Sequence, residues 1–269
     1  MAGISKNNPR VRELRKLLRD SKFRLEMQKF AAEGLEALKE CVETGNQPLD
    51  VFVVNDHPIS PQVDLLLKGS EATVWHLEKG IIDSVATTVN PQPVISTFST
   101  IDVSIEELMK ERPTFLVYGK EIREPGNAGS LIRSAAAASA NGIIFSESSV
   151  DLYNPKTIRA SAGAIFRIPI VRSMRPSDYL KVFEERSIRS VGLSPNGPLS
   201  YLDFDFVTPF VAFLGNESSG LDAETLTQMN QIVRIDMGLG VESLNVSNAA
   251  SVVLFEARRQ RDLYERGTR

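Results

Sequence analysis

The chain has 269 residues, a net charge of −3, and 42% apolar and 24% charged residues, the balance of a folded protein with material for two domains. Its one cysteine, Cys41, excludes an intrachain disulfide, and with His57 and His76 as its two histidines it offers no structural zinc set. No apolar run reaches membrane-spanning length and MAGISKNNPRVREL carries no apolar leader core, so no membrane partner, no secretory signal and a cytoplasmic location are expected.

The average charge hides an asymmetry. Residues 1–30 hold nine basic residues (Lys6, Arg10, Arg12, Arg15, Lys16, Arg19, Lys22, Arg24, Lys29) against three acids, a net of +6 that leaves −9 for the rest. A basic arm on an acidic body points to a polyanionic partner, since Lys and Arg gain affinity for a phosphate backbone by releasing its counterions. The bland alternative is a solvated helix face.

In chain order, NPRVRELRKLLR (8–19) predicts a helix. Asn8 caps it, Pro9 suits the first turn, and Val11, Leu14, Leu17 and Leu18 recur along one face. KFRLEMQKFAAEGLEALKECVETG (22–45) reads as a second helical region closed by Gly45, with Cys41 a small core residue within it. VFVV (51–54) and ATVWHL (72–77) read as strands of a small α/β domain, and the polar stretch STIDVSIEELMKERP (99–113) as a linker. Beyond it, TFLVYG (114–119), GIIF (142–145), AIFRIPIV (164–171), RSVGLS (189–194), FVAFLG (210–215) and IVRIDM (232–237) read as strands. Helical patterns fall between them, around 129–140, 177–187 and 221–230, which predicts a parallel sheet covered on both faces.

The chemistry lies in three short motifs of this second half. In EPGNAGSLIRSAAAA, a turn opening a helix presents Asn127, and Arg133 points back toward the helix start, so both can face one cleft. Alone, Arg133 is equally a surface residue of an Ala-rich helix. The spacing is not the G-x-G-x-x-G of a dinucleotide fold, which disfavours a nucleotide-dependent Rossmann enzyme. In FLGNESSGL, a buried strand runs into a Gly-rich loop with one acid, Glu217, at the carboxyl end where open α/β sheets bind ligands. In GLGVESLNVSNAASVVLFEARRQ, Ser243 or Asn245 can cap a helix whose apolar face runs through Val246, Val253 and Leu254. A cap needs one polar residue, and Ser243, Asn245 and Ser247 exceed that need.

In this order, over roughly residues 112–263, the motifs resemble the SpoU (TrmH-like) branch of the SPOUT RNA methyltransferases. Their Pro-Gly-Asn-x-Gly and Gly-Asn-Glu-x-x-Gly-Leu wording is nearest the avilamycin-resistance group of 23S rRNA methyltransferases. The resemblance implies an α/β fold: a C-terminal parallel-sheet domain with a deep trefoil knot (114–269), a linker (99–113) and a small N-terminal L30e-like RNA-binding domain (1–98) closed by a strand in VNPQPVISTF (89–98). It implies transfer of a methyl group from S-adenosylmethionine to a ribose 2′-hydroxyl, most naturally in 23S ribosomal RNA, with no metal. The alternatives are tRNA methylation or a non-catalytic RNA-binding relative. It implies Asn127, Arg133, Glu217, Ser243 and Asn245 as active-site residues and the motif-one arginine as base, whereas on physical grounds a guanidinium suits clamping the target phosphate or hydroxyl and Glu217 is the candidate proton acceptor. Leu214, Gly215, Asn216, Ile235, Met237, Leu244 and Asn245 would hold the cofactor; Arg10, Arg12, Arg15, Lys16, Arg24 and Arg159 would hold RNA. It also implies a homodimer through the C-terminal domain, for which the face around Val246, Val253 and Leu254 is a candidate contact. One departure stands out: the family's usual Ile-Pro-Met reads Ile235-Asp236-Met237 here, which puts the rigidity of that loop in question.

Overall fold

The structure is a computed structural model that describes residues 4–78, 80–172 and 176–267. The chain divides into two compact units, Met1–Ile101 with Asp151–Arg167, and Asp102–Val150 with Ile168–Arg269.

The first unit begins with α1 (Pro9–Arg19), capped by the Asn8 side chain and burying Val11, Leu14, Leu17 and Leu18. Then follow α2 (Ser21–Met27), β1 (Lys29–Glu33), α3 (Leu35–Glu43), β2 (Asp50–Val54), α4 (Ser60–Leu66), β3 (Thr73–Leu77), α5 (Ile81–Val85) and β4 (Val94–Ser99). The sheet order is β1-β4-β2-β3, and only the β2–β3 pair is parallel. Alternation along the strands feeds two cores, as a period of two requires. Ala31, Phe52 and Ile95 meet α1 and α5 on one face, and Val51, Val53 and Val94 meet α3 and α4 on the other. Cys41 is fully buried, and burial pushes its thiol up to about 12, so it holds no thiolate near neutral pH.

Residues 22–45 are not one helical region. Gln28 takes a left-handed conformation that ends α2, and Lys29–Glu33 pairs with β4. The helix-favouring composition of KFAAE yields to its place in a sheet, where Phe30, Ala31 and Ala32 are all buried.

The second unit begins inside the segment expected to be a linker. There, α6 (Ile105–Lys110) is capped by Ser104 and buries Ile105, Leu108 and Met109 in the core. The remaining elements are β5 (Phe115–Gly119), α7 (Pro125–Ala137), β6 (Gly142–Phe145), α8 (Pro155–Ser161, in the first unit), β7 (Ile170–Arg172), α9 (Pro176–Glu185), β8 (Arg189–Leu193), β9 (Leu199–Ser200), β10 (Phe210–Leu214), α10 (Ala223–Thr227), β11 (Gln231–Arg234) and α11 (Val246–Gly267). The seven-stranded sheet is parallel throughout, in the order β7-β6-β5-β10-β8-β11-β9. Both central strands, β5 and β10, are buried along their whole length, which is why they read as unbroken apolar runs.

The block expected from 114 to 269 is interrupted by Asp151–Arg167, which packs with the first unit. Tyr153 stacks on Phe30 at 4.6 Å and Phe166 meets Phe98 edge-on at 5.0 Å. The strand expected over 164–171 therefore splits: Ala164–Phe166 is a 3₁₀ turn and only Ile170–Arg172 joins the sheet. The strand expected over 232–237 ends at Arg234.

Candidate functional site

Order reverses between β5 and β10, because β6 and β7 extend the sheet on one side and β8, β11 and β9 on the other. A parallel sheet opens a crevice at such a switch point, beyond the carboxyl ends of its strands. Leu214 pairs with Gly119, so the loops leaving β5 and β10 start side by side. The β10 loop turns back sharply. Asn216 N–H donates to the Gly220 carbonyl at 3.1 Å and Gly220 N–H to the Asn216 carbonyl at 2.9 Å. The Asn216 amide donates to the Glu121 carbonyl at 2.9 Å, tying this loop to the one after β5. Asp222 caps α10 through Thr225 N–H and pairs with Lys120.

Around these loops lies a cleft of about 420 Å³. Leu214, Gly215, Asn216 and Glu217 form one wall, and Val233, Ile235, Met237, Ser243 and Leu244 another. Every residue assigned to the cofactor lines it except Asn245, which stands next to Leu244 and bonds elsewhere. Ser194, Pro195 and Asn196, which also line the cleft, were not singled out from the sequence. Their signal is a cluster of turn residues directly after a buried parallel strand.

The three motifs meet in a chain of hydrogen bonds. The Glu217 carboxylate accepts from the backbone N–H of Arg123 at 3.2 Å and of Glu124 at 2.9 Å, and from the Asn127 amide at 3.1 Å. The Asn127 carbonyl oxygen accepts from the Asn245 amide at 2.9 Å. Asn245 in turn accepts from Ser247 N–H at 2.9 Å and its hydroxyl at 2.7 Å, capping α11. Helix α7 starts at Pro125 and Glu124 gives it no side-chain cap, so Glu217 supplies the negative charge at its positive end from a distant segment.

This geometry corrects the reading of Glu217 as proton acceptor. Burial raises its carboxyl pKa, but hydrogen bonds from Glu124 N–H, the Asn127 amide and Arg123 N–H outweigh that, and the group lies below its ordinary value. A carboxylate whose lone pairs hold a helix start is a weak base. Glu217→Gln is expected to lose about 1–3 kcal/mol of stability near neutral pH. Because the folded-state pKa is depressed, the stabilisation is complete above the ordinary carboxylate value and lost as pH falls through the folded one, so the gap from wild type narrows in acid. Denaturation midpoints across that range check this. A variant of unchanged stability that had lost only activity would restore the proton-acceptor role.

Neither Asn127 nor Arg133 lines the cleft, and Arg133, exposed on α7, makes no hydrogen bond or ion pair with the described residues. The residues assigned to RNA divide. Arg12 and Lys16 are exposed and Arg15 is half-exposed, all three on α1. Arg10 is engaged with Glu13 at 3.2 Å, and Arg159 donates to Thr87 at 3.1 Å beside Glu33. Arg24 is a correction. It is 4% exposed, donating to the Leu17 carbonyl at 2.7 Å and to Asp151 at 2.6 and 2.8 Å, so its guanidinium holds the first unit together and faces no phosphate.

Comparison with known proteins agrees with this architecture. Residues 99–255 match the SpoU rRNA Methylase family and residues 8–96 the MRM3-like substrate binding domain. The 23S rRNA (uridine(2479)-2′-O)-methyltransferase of Streptomyces viridochromogenes is 29% identical over 96% of this chain and 92% of its own. The 23S rRNA (guanosine(2553)-2′-O)-methyltransferase of Bacillus subtilis is 25% identical over 94% of this chain and 98% of its own. The crystal structure of the SpoU methyltransferase AviRb from S. viridochromogenes, in complex with the cofactor AdoMet, gives a TM-score of 0.87 at 28% identity and covers 95% of this chain and 99% of that one. With more than half its length matching the family, and all three motifs joined in one chain of hydrogen bonds, this chain belongs to the SpoU rRNA methylase family.

Proposed function

We propose that this protein transfers a methyl group from S-adenosylmethionine to a ribose 2′-hydroxyl of 23S ribosomal RNA. The observation that carries the reading is the continuous bond path from Glu217 through Asn127 to Asn245, which ties motif one to the two motifs that line the cleft. Full-length relatives named as 23S rRNA 2′-O-methyltransferases support the substrate class.

The cleft suits the cofactor. Its volume lies in the range of small-molecule sites, its walls carry Leu214, Ile235, Met237 and Leu244 for an apolar ring, and Gly215, Asn216 and Ser243 leave polar groups at hand. When bound, S-adenosylmethionine supplies an electrophilic methyl on a sulfonium centre. The chain supplies placement. Asn127 and Asn245 fix the motif-one helix against the motif-three helix and keep one another's amides aligned. The Arg133 guanidinium is a planar forked donor, which suits clamping a phosphate or the attacking hydroxyl. In the first unit, Arg12 and Lys16 lie one turn apart on the exposed face of α1, free of ion pairs with the described residues, and suit a phosphate backbone.

The expected result is a tritiated methyl group on the ribose 2′-oxygen of undermodified 23S RNA incubated with methyl-tritiated S-adenosylmethionine. Label on a base sinks the reaction, and label on tRNA alone sinks the substrate.

We also infer a homodimer formed through the second unit. Val253 and Leu254 are buried within that unit, so they are not the contact, whereas Phe255 and Leu263 stand 50% and 53% exposed on the outer face of α11. Closed twofold pairing covers such a face. Sedimentation of the full chain as a monomer at micromolar concentration contradicts it.

A further inference from the structure

The residue at the usual proline position of motif three's approach, Asp236, lies between Ile235 and Met237, both of which line the cleft, yet Asp236 itself does not. Its carboxylate reaches outward to two partners. One oxygen accepts from the Ser200 hydroxyl at 2.8 Å and the other from Arg234 Nε at 2.8 Å. Arg234 carries the link further, donating through Nη1 to the carbonyls of Gly197 at 3.1 Å and Pro198 at 2.8 Å. Ser200 belongs to the edge strand β9, which pairs with the end of β11. Gly197 lies flat on that end, where a Cβ would stand 2.6 Å from the Val233 carbonyl carbon. The same loop begins with Ser194, Pro195 and Asn196, which form part of the cleft wall. One carboxylate therefore ties together two cleft-forming segments, 194–200 and 233–237.

We propose that Asp236 is a positioning residue: with Ser200 and Arg234 it clasps these segments and holds Ile235 and Met237 in the shape that receives S-adenosylmethionine. A proline stiffens a turn by fixing its own φ. Here the stiffness comes from a charge-assisted bond network, which a side chain that touches no ligand supplies from outside the cleft. The inference rests on reading the cleft as the S-adenosylmethionine site.

The test is titration calorimetry with S-adenosylmethionine on the full chain, paired with hydrogen exchange in the absence of ligand. Asp236→Ala is expected to weaken binding about five- to tenfold, the size of one exposed charge-assisted hydrogen bond, and to speed exchange at the amides of residues 235–237. Ser200→Ala should act in the same direction. The double variant should bind no worse than Asp236→Ala, because the two changes break one clasp. Asp236→Asn keeps the shape and an acceptor, should fold in any case, and should recover part of the affinity. A merely structural role would lower stability without this pattern of coupling and recovery. Wild-type binding and exchange in Asp236→Ala and Asp236→Asn overturn the clasp alone. No binding by the unsubstituted protein overturns the cofactor reading and the clasp with it.

Discussion

Arg133→Ala is expected to lose methyl transfer by about a thousandfold or more while binding S-adenosylmethionine within about twofold of wild type; removing one preorganised charge contact to a reacting group has this scale. The split follows from where the residue stands. Arg133 is exposed, lines no part of the cleft and has no bond to any described residue, so its removal leaves the cleft walls and the Glu217–Asn127–Asn245 path untouched. An exposed guanidinium with no partner among the described residues, one turn and a half beyond Asn127 on the same helix, is available to an RNA substrate. Arg133→Lys keeps the charge and loses the fork, and should recover little if the contact is bidentate. Single-turnover transfer measured beside calorimetric cofactor binding separates the outcomes. Equal loss in both would place Arg133 inside the cofactor site, and wild-type turnover would remove it from the mechanism.

The second unit's central strands were legible in the sequence and the first unit's boundaries were not, for physical reasons visible at particular residues. Strands buried on both faces leave long apolar runs, so β5 and β10 were legible as FLVYG and FVAFL, and the polar residues at their ends stood out against them. Asn127, Glu217 and Asn245 could be gathered into one site because Asn127 lies in the first turn of α7, Glu217 in the loop after β10 and Asn245 just before α11, at element ends where polar side chains cap and bind. The roles were less legible than the places. Whether Glu217 takes a proton or caps a helix depends on the backbone N–H groups of Arg123 and Glu124, 94 and 93 residues earlier in the chain. Charge counting failed in the same way at Arg24, whose partner Asp151 is 127 residues distant. The strand KFAAE failed because a short alanine-rich run carries no period that tells helix from strand, and only its pairing with β4 decides.

Gly215→Ala is expected to weaken S-adenosylmethionine binding by more than about a hundredfold and to cost about 2–4 kcal/mol of stability, the scale of an overpacked, rigid contact. A Cβ on residue 215 would stand 2.0 Å from the Gly220 carbonyl carbon, 2.2 Å from Leu221 N and 2.3 Å from the Gly220 oxygen. All three are backbone atoms, so no side chain can swing aside. Relief requires the β10 loop to open, which breaks the paired Asn216–Gly220 bonds and moves Glu217 away from Arg123, Glu124 and Asn127. One methyl group thus disturbs the cleft wall and the anchor of α7 together. Gly220 is the internal control. It has a positive φ of 67° but nothing within 4 Å of its Cβ position, so Gly220→Ala meets only left-handed backbone strain, about 1–2 kcal/mol, and should keep most of the cofactor affinity. Thermal melts and calorimetry on both variants read the contrast. If Gly215→Ala binds S-adenosylmethionine as Gly220→Ala does, the close approach of these two backbone segments is not what shapes the cleft.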